Sequence, residues 1–64
     1  MKCKVTYMLK GLGVPMTDEV EVEGLLEDKN VKKAVQAVVD KENFIIGGKK
    51  AKVDRISLII ALDE

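Results

Sequence analysis

The chain has 64 residues, one cysteine and no histidine, so it can form neither an internal disulfide nor a zinc site, because one thiol without an imidazole cannot supply the ligands. Lys plus Arg and Asp plus Glu each number 11, giving zero net charge, and the basic excess of a dedicated nucleic-acid binder is missing. A domain this small buries only about 60% of the surface its unfolded chain exposes, and with disulfides and metals set aside, oligomerisation is the remaining reinforcement.

A hydrophobic share of 47%, rich in Val, Ile and Leu, marks residues 1–64 as one small globular domain and not a disordered segment. Met1-Lys2-Cys3-Lys4 runs directly into a strand pattern, with no export signal. The longest apolar run is too short to cross a bilayer. A free thiol without an export signal points to a reducing cytoplasm.

Lys2 to Lys10 alternates. Cys3, Val5, Tyr7 and Leu9 point one way, and Lys2, Lys4, Thr6, Met8 and Lys10 point the other, the period of a strand with one buried face. Gly11-Leu12-Gly13-Val14-Pro15-Met16 reads as a loop. Thr17 to Glu23 alternates again, with Val20 and Val22 inward and Glu19, Glu21 and Glu23 outward. In an antiparallel hairpin Lys2 and Lys4 then stand opposite or diagonal to Glu21 and Glu23, each pair contributing about 0.2–1 kcal/mol. A recognition role for the acidic row is the rival reading.

After Gly24 to Lys29 the period changes to 3.6. Asp28 or Asn30 is the expected helix cap. Val31, Ala34, Val35, Val38 and Val39 form one stripe, with Lys32, Lys33, Gln36, Asp40 and Asn43 opposite. Asn43 suits the left-handed residue that ends the helix, with Phe44 packing back on Val39. Phe44-Ile45-Ile46 reads as a short strand entering a hairpin or as an extended plug, and Gly47-Gly48-Lys49-Lys50 breaks it. Val53 to Leu62 is the last long strand, and Asp63 and Glu64 end in water.

The expected fold is α+β, with one helix on one face of an antiparallel or mixed sheet. The sheet has three strands, or four if Phe44 to Ile46 joins it. The order is strand-strand-helix-strand and the spatial order 2-1-3, with a right-handed crossover. The expected core is Val5, Tyr7, Leu9, Val20, Val22, Val31, Val35, Val38, Phe44, Ile56, Leu58, Ile60 and Leu62.

Catalysis has little to work with. The commonest general base is absent, Ser57 lies inside a strand, and Cys3 alternates with core positions. The carboxylates fall on outward faces. No catalytic residue, cofactor or metal ligand is assigned, and the chain reads as a non-enzyme. The lysines after Gly47-Gly48 do not make a phosphate loop, which needs Ser or Thr after the lysine and a following helix.

The distinctive feature is the apolar last strand. If Ile56, Leu58, Ile60 and Leu62 cover the helix, Val53, Ser57, Ile59 and Ala61 line a second face, with Met8 beside them. Contiguous apolar surface marks an interaction site, and a long apolar edge invites pairing with another chain. The reading is an accessory or interaction module that self-associates as a homodimer or takes a protein partner. The alternative is weak nucleic-acid or polyanion binding through Lys32, Lys33, Lys49, Lys50, Lys52 and Arg55. Neutral net charge and inward-facing aromatics disfavour it.

Overall fold

The computed structural model describes residues 1–62; the last two positions, including the expected solvated end, lie outside them. Strand β1 is Lys2–Leu9, β2 is Met16–Glu21, α1 is Asp28–Glu42, β3 is Ile45–Ile46, β4 is Lys49–Lys50 and β5 is Val53–Ala61. The main sheet has the order β2-β1-β5, with β1 antiparallel to both neighbours. The expected α+β class and strand order are therefore present. The short strand after the helix does not widen this sheet. It pairs antiparallel with β4 as a separate two-stranded hairpin.

The alternation of β1 is realised in full. Cys3, Val5, Tyr7 and Leu9 are buried on the helix side, and Lys2 and Lys4 are exposed. Lys2 stands opposite Glu21 and Lys4 opposite Glu19. The ion pair seen at this end uses neither lysine: the amino terminus of Met1 sits 3.2 Å from Glu21 Oε1. Across the same strands the Thr6 and Thr17 hydroxyls are 3.2 Å apart.

Helix α1 buries Val31, Val35 and Val39, positions four residues apart that rise along one stripe. Covering each valine contributes about 1.5–2 kcal/mol of apolar transfer. Val39 is buried and Val38 only half-buried, so the stripe is narrower than the sequence suggests. The expected capping does not occur. Glu27 occupies the N-cap without a side-chain bond, and Asn30 Nδ2 donates instead to the Leu25 carbonyl at 2.9 Å. At the other end Asn43 takes the left-handed conformation, φ 55 and ψ 45. Its N–H donates to the Asp40 carbonyl at 3.1 Å, and Phe44 lies half-buried against the core.

Gly47 and Gly48 both have positive φ, 60 and 79, the requirement of the two-residue turn that matches strand twist. They reverse the chain between Ile46 and Lys49. The hairpin docks on the β1–β2 loop, where the approach is so close that a β-carbon on Gly11 would lie 3.3 Å from Ile46 Cγ2. Ala51 N–H bonds the Phe44 carbonyl at 2.8 Å and Lys10 N–H bonds the Lys52 carbonyl at 2.9 Å, delivering the chain into β5. Ala51, absent from the expected core, is buried there.

Strand β5 departs from the expected alternation. Its register against β1 slips twice: Val53 pairs with Leu9, Arg55 with Met8, Ile56 with Tyr7, and Leu58 with Thr6. Asp54 and Ser57 are thus extra residues on β5, each forming a bulge. A one-residue slip moves every later side chain to the opposite face. Val53, Ile56 and Ile59 consequently point at the core side, together with Ala61 opposite Cys3. Leu58 and Ile60, expected in the core, are 53% and 46% exposed.

Candidate functional site

The bulges redistribute the residues expected on the free face of the last strand. Val53 is buried at 3% exposure and Ile59 packs half-buried against the core. Neither lines an outer surface. Ser57 is exposed at its bulge, Ala61 is exposed on the core side, and Met8 is half-buried on the outer face opposite Arg55. The apolar column on the outer face consists of Leu58 and Ile60, extended by half-buried Leu62. The sequence carries a trace of the first slip and none of the second. Val53 and Ile56 are both apolar yet of opposite parity, and only an odd slip at a polar residue between them puts both inside.

The outer edge of β5 has two unlike halves. In the first half, helix side chains close it. Gln36 Oε1 accepts from the Val53 N–H at 2.9 Å, and Gln36 Nε2 donates to the Ala51 carbonyl at 3.2 Å and to Asp40 Oδ1 at 2.9 Å. One amide thereby satisfies a backbone donor and a backbone acceptor and is itself held by a helix carboxylate one turn on. Lys32 Nζ donates to the Asp54 carbonyl at 3.3 Å. The sequence placed Gln36 and Lys32 on the polar face of the helix and gave no hint of this clasp, because amphipathic spacing says nothing about reach.

The second half is regular and open. The Leu62 N–H bonds the Lys2 carbonyl at 3.0 Å, so the backbone of Leu62 faces β1. Alternation turns Ile60 and Leu58 the same way and leaves the N–H and C=O of Ile59 and Ala61 pointing off the sheet. The segment Leu58-Ile59-Ile60-Ala61-Leu62 carries no charge. Among the described residues this row of backbone donors and acceptors has no partner, and on an uncharged apolar strand it is a template for another strand.

The expected basic cluster is divided. Lys49, Lys50 and Lys52 gather around the β3–β4 hairpin, where Lys10, outside the expected cluster, joins them. Lys32 is committed to the β5 edge. Lys33 lies beside Glu21, Glu23 and Asn30 on the β2 side of the helix, and Arg55 stands on the outer sheet face opposite Met8.

Two groups inside the fold have shifted ionisation. Burial pushes the Cys3 thiol up, with the amino terminus pulling weakly the other way, so the reactive thiolate is disfavoured. Burial, followed by its bond to Asp18, raises the Tyr7 phenol. The hydroxyl donates to Asp18 Oδ2 at 2.6 Å, and the Asp18 side chain is on the core side of β2 opposite Val5. Among the described residues no cluster of three or more Cys, Asp or Glu is arranged to hold a metal ion, and no helix is long and apolar enough to cross a membrane. No protein-family model, no curated protein and no solved structure matches this chain.

Proposed function

We propose that this chain is a non-catalytic interaction module of the reducing cytoplasm that self-associates through the open half of β5. The observation that carries the reading is the pair of outward-facing backbones at Ile59 and Ala61 within the uncharged run Leu58 to Leu62. A two-fold axis at Ile60 pairs Ile59 of one copy with Ala61 of the other, twice. Both residues have outward N–H and C=O groups, so the arrangement exchanges four hydrogen bonds, each contributing about 1 kcal/mol. On the outer face Leu58 meets the second copy's Leu62, and Ile60 meets its own equivalent. Covering the exposed halves of Leu58 and Ile60 adds about 1 kcal/mol per side chain.

This register requires no charge pairing and suits a protein whose net charge is zero, since little repels a second copy. It also explains where pairing stops. Beyond Leu58 the Ser57 bulge twists the edge away, and further on Gln36 and Lys32 already occupy the backbone groups a partner would need.

Sedimentation at micromolar concentration tests the proposal. The chain sediments as a dimer. Ala61→Pro removes an outward N–H and leaves the bonds to β1 intact, a strand setting that tolerates proline. Ile60→Lys places like charges face to face across the axis. Each variant weakens dimerisation by about a hundredfold, or about 2.7 kcal/mol, while retaining its far-ultraviolet circular dichroism. A monomeric parent chain, or a dimer indifferent to both substitutions, overturns the reading.

A further inference from the structure

We infer that the groove at the hairpin end of the molecule is a sequence-independent binding site for the phosphate backbone of duplex nucleic acid. It is lined by Lys10, Lys49, Lys50 and Lys52, with Ile46 and Ala51 as its apolar floor, and encloses about 400 Å³. All four lysines are exposed. Among the described residues none has a carboxylate within ion-pair distance, the only such contact being that of Met1 with Glu21. No acidic side chain lines the groove.

Zero net charge conceals this arrangement because the charges are segregated. Glu19 and Glu21 are on β2, where they face Lys4 and Lys2. The four lysines sit where β1, β4 and the entry to β5 converge, gathered by the Gly47-Gly48 turn and the backbone bond between Lys10 and Lys52. The groove brings four exposed lysines together with no acidic side chain in its lining, and phosphates that bind there release their own condensed cations.

The surroundings select the ligand. A single strand is held by stacking on exposed aromatics, but Tyr7 is buried and Phe44 half-buried. An anionic membrane surface is engaged by basic groups together with apolar side chains that enter the lipid. Here the apolar residues that floor the groove lie beneath the lysines, with Ala51 buried and Ile46 half-buried, and the hairpin offers lipid a single exposed apolar side chain, Ile45 opposite Lys50. Lysines supply point charges without the planar fork that reads base edges, so contact is with phosphate and indifferent to sequence.

Fluorescence anisotropy with a short random-sequence DNA duplex, titrated at several salt concentrations, tests the inference. Four phosphate contacts give a log–log salt slope of about −3.6, and Lys50→Gln brings it to about −2.7. Lys4→Gln, on the outer sheet face opposite Glu19, leaves the slope unchanged and serves as the control. Circular dichroism confirms that each variant is folded. Absence of binding at low salt, a slope that Lys50→Gln does not alter, or binding to anionic vesicles without binding to the duplex overturns the inference.

Discussion

The two edges of the main sheet are protected by different means. Edge strand β2 is short, six residues from Met16 to Glu21. It follows Pro15 and carries Asp18, Glu19 and Glu21 on its two faces. Shortness, proline and charge are local devices against edge pairing, and all are written in the strand itself. Edge strand β5 is nine residues long and almost without charge after Arg55. Its protection is borrowed from the helix and covers only half of it. The second half of β5 has neither the charge and proline of β2 nor the helix side chains that close the first half, and this supports the proposed pairing of two copies there.

Gln36 is where this contrast is easiest to break. Gln36→Ala strips the acceptor from the Val53 N–H and the donor from the Ala51 carbonyl. Leaving part-buried backbone groups unpaired costs about 2 kcal/mol, read as a lower urea midpoint with unchanged m-value. Amide exchange localises the effect: the Val53 N–H loses protection, while the Leu62 N–H, bonded to Lys2, keeps its own. Unchanged protection at Val53 would show that the clasp contributes nothing to closing that half of the edge.

How far the sequence reveals these edges depends on the kind of interaction involved. The strand order followed from periodicity together with the crossover that the helix imposes, because β1 alternates without interruption and the valine stripe of α1 has helical spacing. Asn43 was legible as a helix stop because few residues other than glycine accept a left-handed backbone. The side-chain parity of β5 was not legible from alternation, because bulges at Asp54 and Ser57 shift it by two steps. Their positions are settled by burial of Val53, Ile56 and Ile59 against a core shared with β1. The reach of Gln36 and the approach of Lys10 to the hairpin lysines depend on how the helix and hairpin dock, which no local pattern encodes. The open run Leu58 to Leu62 was recognisable as unusual, but the side chains assigned to its free face were the wrong alternate set.

The β2 edge has its own fastening, and Tyr7→Phe tests it. The substitution deletes the bond to Asp18 and costs about 1.5 kcal/mol at neutral pH. Its pH dependence has a definite sign. The folded-state phenol titrates above its ordinary value, and the unfolded phenol near pH 10. Stability from this group is complete below about pH 10 and is lost as pH rises toward the folded value, because the unfolded chain ionises first. Tyr7→Phe therefore flattens the alkaline decline contributed by this residue. A parent chain and variant with parallel alkaline stability profiles would show that Tyr7 is not the group responsible.

The smallest effect is expected from removing the local protection of β2. Glu19 is exposed and stands opposite Lys4, and its pairing is solvated, so Glu19→Val changes monomer stability by no more than about 0.5 kcal/mol. The change is in association. It gives β2 an apolar residue on its outer face and removes one of the charges that discourage strand addition. Sedimentation then shows a minor fraction larger than the dimer, because each dimer now has two further adhesive edges. Combining it with Ala61→Pro separates the edges: with β5 blocked, association proceeds through β2 alone and stops at two copies. If Glu19→Val leaves the size distribution unchanged in both backgrounds, then the shortness of β2 and Pro15, and not its acidic row, keep that edge single.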